Sequence, residues 1–419
     1  MPKEAMYAKG PVFVVGAPRS GTSILTWCLG QHPNILPLEE SGWFGRFAVE
    51  LGVSYRVGSQ FGQRSQLSAL GVDRDMFLEA FGETIDTIIH RHRAQLEQNC
   101  RRVAEQNPGC ANSPFSVSRS KSELKSRWVD GTPEYSFHIC ELRKLFPNAK
   151  FVHIVRDVQS VVNSMLQFKL GGASGLVETE QQAYEYWLNT VEACIRAERA
   201  LGSRVIHRLR YDDLVNQSGQ TLRNLLAFLD EPYVAACIEP LVQRINSSEV
   251  PVGFRTHDRR TDPLLVERAL RLSSHLQQAH EGCRSAPSAR AEFEADFNKR
   301  VVFAAGLNAE YAAAQQKVAA LSKRLSWCGL MLAANLLFAL SSMAFKDAGR
   351  SVWADLWLAS SLSGVGIYAA IRRAGLIQLL ARIGRRPGRQ FVMSSTDDAY
   401  SYATGRSTAR VFRKTGAGS

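Results

Sequence analysis

The apolar run Pro11–Val15 leads directly into Gly16-Ala17-Pro18-Arg19-Ser20-Gly21-Thr22-Ser23, and Thr22–Gly30 then reads as a helix. A buried strand, a glycine loop and a helix in that order belong to a parallel sheet with helices on its faces, and few other folds accommodate them. The same arrangement makes an anion cradle. Loop N–H groups point inward, and the helix end adds partial positive charge. The spacing G-x-x-x-x-G matches a nucleotide-triphosphate P-loop, which continues with Lys and then Ser or Thr. Here Thr22-Ser23 follow the second glycine directly, the Lys is missing, and the loop's cation is Arg19. ATP or GTP chemistry is disfavoured without that Lys, and a smaller phosphate-bearing group fits better.

The first 300 residues alternate apolar strands with helical stretches, so the expected class is α/β: a P-loop-like, doubly wound parallel sheet flanked by helices. Strands are predicted at Val12–Val15, Ile35–Pro37, Arg127–Val129, Phe151–Val155 and Val205–Arg208. Between the second and third lies a helical excursion, residues 42–125, whose Met76, Phe77, Ala80, Ile85, Ile88 and Ile89 recur at helical spacing. Such excursions carry acceptor specificity while the sheet carries the common chemistry. Its end, Asn107–Lys125, reads as a loop.

A second motif begins at the end of the strand Lys150–Val155, where Arg156-Asp157 precede Val158–Ser164. Together, Pro18-Arg19-Ser20-Gly21-Thr22-Ser23 and the pair Arg156 and Ser164 resemble the 5′-phosphosulfate and 3′-phosphate motifs of the sulfotransferases. These enzymes use 3′-phosphoadenosine 5′-phosphosulfate (PAPS). The likeness covers roughly Pro11–Phe254 and is closest in style to the tyrosylprotein and bacterial carbohydrate branches. It implies that Arg19, Ser20, Gly21, Thr22 and Ser23 hold the 5′-phosphate end, with Arg19 also catalytic. It places Arg156 and Ser164 on the 3′-phosphate. A guanidinium at a strand's carboxyl end suits that task, because its fork matches phosphate oxygens.

Sulfuryl transfer to an alcohol needs a base. The frame His32-Pro33 to Glu39-Glu40 resembles the tyrosylprotein branch, and ungapped alignment puts Glu40 at the base position with Glu39 as its neighbour. Asp130-Gly131-Thr132-Pro133-Glu134-Tyr135 resembles an active-site segment in which many members carry Lys where this chain has Gly131. Arg210-Tyr211-Asp212-Asp213-Leu214 resembles a segment whose tyrosine, here Tyr211, lies by the adenine. Val252-Gly253-Phe254-Arg255 loosely resembles a late cofactor loop. No metal is implied.

The formal charge is +12, but residues 372–419 hold ten Lys/Arg against two Asp and so account for +8 of it. A basic tail suits anionic headgroups, and nucleic acid is not expected as a partner. The eight cysteines show neither C-x-x-C pairs nor a neighbouring His cluster, as for buried thiols in a reducing compartment. The short charged start, Met1–Gly10, is not expected to be a signal peptide.

Residues 301–324 read as a connector helix. Leu325–Phe345 carries no charge, and Ser351–Ile371 carries only Asp355. Each is long enough for a bilayer core of about 30 Å. With Lys317, Lys323, Arg324, Arg372 and Arg373 flanking them, the expectation is a C-terminal transmembrane hairpin with both ends, and the catalytic domain, on the cytoplasmic face. The alternative is a pair of helices that cap the enzyme domain or join two chains as a homodimer. The expected function is transfer of a sulfuryl group from PAPS to an acceptor hydroxyl, of a glycan or lipid-linked glycan. The rivals are a P-loop small-molecule kinase and a membrane-anchored nucleotide-binding scaffold.

Overall fold

The computed structural model describes residues 9–106, 126–168, 176–242, 258–278 and 284–346. Five strands, β1 (Val12–Val15), β2 (Ile35–Pro37), β3 (Arg127–Asp130), β4 (Lys150–Val155) and β5 (Ile206–Arg210), form one sheet in the order β2-β3-β1-β4-β5. Every pairing is parallel, with Val12 opposite both Val129 and Lys150. The five strands fall where the apolar runs place them, within two residues at each end. β1 lies between β3 and β4, so the chain reverses direction across the sheet beside it. Ligands bind at such a switch point, outside the carboxyl ends of the strands.

Along the chain, β1 is followed by α1 (Thr22–Gly30), and β2 by α2 (Phe44–Ser59), the short α3 (Gln66–Ala69) and α4 (Arg74–Gln106). Between β3 and β4 come a 3-10 turn (Pro133–Phe137) and α5 (Ile139–Leu145). Between β4 and β5 come α6 (Val158–Gln167) and α7 (Glu180–Leu201). After β5 follow α8 (Tyr211–Asn216), α9 (Ser218–Phe228), α10 (Glu239–Val242), α11 (Pro263–Leu276) and α12 (Pro287–Lys346).

The period-2 alternation of β1 divides the core. Val12 and Val14 join Leu25, Cys28 and Leu29 of α1 and Leu222, Leu225 and Leu226 of α9. Phe13 and Val15 join α2, α4, α5 and α7 and the start of α12 through Ala48, Leu78, Leu142, Ala197 and Phe297. Phe13 meets Trp128 edge-on at 5.4 Å, Tyr135 at 5.6 Å and Phe151 stacked at 5.5 Å. Such pairs add about 0.5–1.5 kcal/mol each beyond the area they bury. Helices on both faces make the sheet doubly wound, as expected.

The chain divides into two units, residues 1–304 with 394–419, and residues 305–393. The expected connector at 301–324 is not a separate element: it lies within the single helix α12, which begins with Pro287. Composition turns Ala-rich near residue 300, but nothing there stops a helix. In the second unit, Leu307, Tyr311, Val318, Leu321, Leu325, Trp327 and Leu330 are exposed. No helix among the described residues is long and apolar enough to cross a membrane. Ser351–Ile371, the basic tail, Asn107–Lys125 and Val252–Arg255 lie outside the described residues, so the expected hairpin has no structural support here.

One buried carboxylate ties the amino ends of the strands together. Glu231 takes hydrogen bonds from Lys9 (3.1 Å) and from Asn34 Nδ2 (2.9 Å), and it lies 3.7 Å from the Arg127 guanidinium. Arg127 in turn donates to Leu229 O at 2.6 Å. Removing one partner of a buried pair leaves the other charge uncompensated. Glu231→Ala should therefore lower unfolding free energy by about 3–5 kcal/mol in urea melts; a loss below about 1 kcal/mol, the value of an exposed pair, contradicts this role.

Candidate active site at the carboxyl edge of the sheet

The loop after β1 takes its shape from three residues with positive φ: Gly16 (144°), Arg19 (71°) and Gly21 (106°). A Cβ on Gly16 would stand 2.4 Å from Ile154 O, and one on Gly21 would stand 2.6 Å from the Tyr211 ring. Both glycines are therefore required by close approach as well as by conformation. Arg19 is different, since a non-glycine residue in this region marks local strain. The Gly16 N–H donates to Ser136 Oγ at 2.9 Å, so that amide is committed to holding the loop. Gly21 caps α1 without a side-chain bond, and no acidic residue lies in the first turn. By contrast, α6, α7 and α11 are capped by Asp157, Thr179 and Asp262. The N–H groups opening α1 are thus left for a ligand.

Around this loop the structure gathers the residues singled out in the sequence. Arg156, at the end of β4, donates from Nη1 to Arg19 O at 3.2 Å, and its guanidinium lies 4.4 Å over the Tyr211 ring. Tyr211 therefore touches both Gly21 and Arg156. Asp157 is occupied as the cap of α6, accepting from Ser160 N at 2.9 Å, and it does not pair with Arg156. Ser164 is buried, but its Oγ accepts from Arg19 Nε at 3.0 Å. The spacing from Arg156 to Ser164 suggests a pair on one phosphate; in this structure Ser164 also accepts from the loop arginine. Arg19 also lies 4.3 Å over Phe168, a contact without a sequence signal. Ser20 and Thr22 are buried in the loop, with Ser23 beside them partly exposed.

Burial disfavours the charge on Arg19, Arg156 disfavours it further, and Glu40 opposes both. Two guanidinium groups side by side at an uncapped helix end suit an anion with at least two negative groups. A nucleotide bearing separate 5′ and 3′ phosphates fits these residues.

Glu40 lies across from Arg19. Burial pushes its carboxyl up to about 7, with Glu134, Asp130 and Glu39 adding to the rise and Arg19 opposing it. The residue keeps open surface on one side, so it combines solvent access with close acidic neighbours. Glu39 is exposed. The loops after β2 and β3 are joined by a hydrogen-bond chain. The Phe44 N–H donates to Tyr135 OH (3.2 Å), Tyr135 OH contacts Ser41 Oγ, and Ser41 Oγ donates to Asp130 Oδ2 (2.6 Å). Thr132 donates to the other Asp130 oxygen from both N (2.9 Å) and Oγ1 (2.6 Å). Asp130 is therefore a loop anchor, and burial still raises its carboxyl. At Gly131 a Cβ would stand 2.1 Å from Thr26 Oγ1. The missing lysine thus has a steric reason: α1 passes too close for a side chain there. Ser41 and Ser136 were not legible as site residues, because their partners lie about ninety residues or more away in sequence.

Comparison with known proteins places the sequence among sulfotransferases. Residues 11–235 match a family model described as the sulfotransferase family. A protein-tyrosine sulfotransferase of Drosophila melanogaster is 22% identical over 258 residues, covering 61% of this chain and 45% of the relative. Protein-tyrosine sulfotransferase 1 of Danio rerio is 24% identical over 258 residues, covering 61% of this chain and 63% of that one. The chain thus spans roughly half to two thirds of these curated relatives' length. Among solved structures, the sulfotransferase domain from the curacin biosynthetic pathway shares 18% identity at a TM-score of 0.33, covering 69% of this chain and 98% of that one. Since the matching family model takes in more than half of the sequence, the protein belongs to the sulfotransferase family.

Proposed function

We propose that the protein transfers a sulfuryl group from PAPS to an acceptor hydroxyl. The observation that carries this reading is the convergence of Arg19, Arg156 and Tyr211 on the uncapped end of α1, with Glu40 facing Arg19. In this reading the α1 N–H groups and the hydroxyls of Ser20, Thr22 and Ser23 receive the 5′-phosphate. Arg156 faces the 3′-phosphate, and Tyr211 lies along the adenine. Ser164 holds Arg19 in place and, in this reading, offers its hydroxyl to the 3′-phosphate.

Glu40 accepts the acceptor's hydroxyl proton as the oxygen attacks sulfur in line. The new O–S bond forms while the bond from sulfur to the 5′-phosphate oxygen breaks. The leaving 3′-phosphoadenosine 5′-phosphate carries away the electron pair, and Arg19 offsets the charge that develops there. With Gly131 in place of lysine, Arg19 has this task without a second cation from that segment. The acceptor we favour is a glycan or lipid-linked glycan hydroxyl at the cytoplasmic membrane face. This rests on the apolar segments 325–345 and 351–371 and on the basic tail. The tyrosine hydroxyl named for the relatives is the competing acceptor.

Assays with labelled PAPS test the chemistry. Glu40→Gln should retain nucleotide binding while turnover falls about 10²–10⁴-fold, the usual contribution of a general base. Because the base must be ionised, wild-type kcat/KM should rise with pH through about 7 and level off above it. A fully active Glu40→Gln variant, or a rise centred near the ordinary carboxylate range, removes Glu40 from the role.

Attachment is tested by washing membranes. Hydrophobic insertion resists both high salt and alkali, whereas adhesion of a basic tail is screened by salt. Release by salt alone contradicts the hairpin.

A further inference from the structure

At the edge of the sheet opposite the cradle lies a cavity of about 360 Å³ that the chemistry above leaves unused. Pro147 and Val205, which lead into the amino ends of β4 and β5, belong to its lining. The rest comes from α5, the first turns of α4 and α12 and the end of α7, all within the first unit. These walls are tied to one another. Lys144 Nζ donates to Asp75 Oδ1 at 3.0 Å, joining α5 to α4. Gly82 of α4 packs on the Leu145 carbonyl so closely that a Cβ would collide with it. The Ala286 N–H donates to Arg199 O at 3.0 Å, which fixes the chain entering α12 to the end of α7. The volume falls within the roughly 300–1,000 Å³ of small-molecule sites.

The charged side chains of the lining are unevenly paired. Lys144 is taken up by Asp75, and Arg290 Nε lies 3.5 Å from Glu294. Arg143 is half-buried and, among the described residues, has neither a hydrogen bond nor an ion pair. Burial disfavours its charge and Arg290 disfavours it further, with no carboxylate offsetting the two. A guanidinium in that position costs the empty protein stability, and a bound anion removes the cost. Its fork of N–H groups matches the two oxygens of a carboxylate.

The remaining lining sets the size and charge of such an anion. Pro147, Leu201, Val205 and Phe293 present apolar surface to the cavity, so the ligand has an apolar body as well as a charged head. Asp75, Glu79 and Glu294 line it too and would repel a second negative charge. A single carboxylate meets these demands better than a phosphate dianion.

We propose that this cavity binds a small monocarboxylate, an aryl or short acyl acid, whose carboxylate pairs with Arg143 and whose apolar body lies against Leu201 and Phe293. The site is separate from the cradle and does not depend on the sulfuryl-transfer reading.

Calorimetric titration of the full-length protein with benzoate and hexanoate tests this. Benzyl alcohol and hexanol are the uncharged counterparts, and phenyl phosphate is the dianionic one. One of the acids should bind a single site per chain, about tenfold or more tighter than the alcohols and phenyl phosphate. Arg143→Gln should weaken that acid by about tenfold or more, the worth of one charge-assisted hydrogen bond. Arg156→Ala, in the cradle, should leave it unchanged, which separates the two cationic sites. Arg290→Gln alters a side chain that is 67% exposed. It should keep the fold and weaken the acid about two- to fivefold, as for an exposed charge. Because Arg143 lacks a partner, Arg143→Gln should unfold at the wild-type urea midpoint or above it.

The inference is overturned if neither acid binds at millimolar concentration, or if the alcohols or phenyl phosphate bind as tightly. It is also overturned if Arg156→Ala removes the binding while Arg143→Gln and Arg290→Gln do not. A urea midpoint clearly lowered by Arg143→Gln overturns it as well, since the guanidinium would then serve the fold and not a ligand.

Discussion

Arg19 and Arg156 are held side by side at the carboxyl edge of the sheet, and the Arg156 guanidinium is itself bonded to the Arg19 carbonyl. Like charges brought together under partial burial are unfavourable unless an anion joins them. Much of the surrounding structure serves that contact. Ser164 and Phe168 position Arg19, Tyr211 positions Arg156, and Ser136 holds the first amide of the loop. The tight approach of Gly21 to Tyr211 joins the two halves of the cradle. The parallel sheet then brings these residues, scattered from position 16 to 211, to one edge.

The other half of the site is built on a different principle. Where the cradle accumulates positive charge around backbone N–H groups, the loops after β2 and β3 accumulate carboxylates. Asp130 is committed to Ser41 and Thr132, while Glu40 feels the charges of Glu134, Asp130 and Glu39. Arg19 stands at the boundary and sees both halves, since its charge is opposed by Arg156 and favoured by Glu40. In the proposed reading, a transferred sulfuryl group crosses that gradient from the cationic side to the acidic side.

The sequence made the sheet and the cradle legible for local reasons. Val12–Val15 is an uninterrupted β-branched and aromatic run, and Phe151–Val155 is broken only by His153, so their strands could be placed closely. Arg156 and Tyr211 sit directly after strands and Arg19 lies in the loop after β1, which brings all three to one edge once the sheet is parallel. What escaped was non-local. The Ser41–Tyr135–Asp130 chain and the bond from Gly16 to Ser136 join residues with no shared pattern. The closeness of Arg19 to Ser164 depends on the left-handed turn at Arg19, which no β-turn preference for arginine foretells. α12 runs on through the shift to Ala-rich composition near residue 300. Ala is a strong helix former, so an Ala-rich stretch extends a helix rather than ending it.

The central claim is that this cradle reads two separate phosphates on one nucleotide. Calorimetric titration of the wild type with 3′-phosphoadenosine 5′-phosphate, adenosine 5′-phosphate and Mg-ATP, repeated with Arg156→Ala, tests it most directly. The wild type should prefer the doubly phosphorylated nucleotide by about ten- to a hundredfold, and Arg156→Ala should abolish that preference, as expected for one charge-assisted contact of about 1.5–3 kcal/mol. Equal affinity for Mg-ATP, or a variant that loses both adenosine nucleotides in the same proportion, would contradict the account.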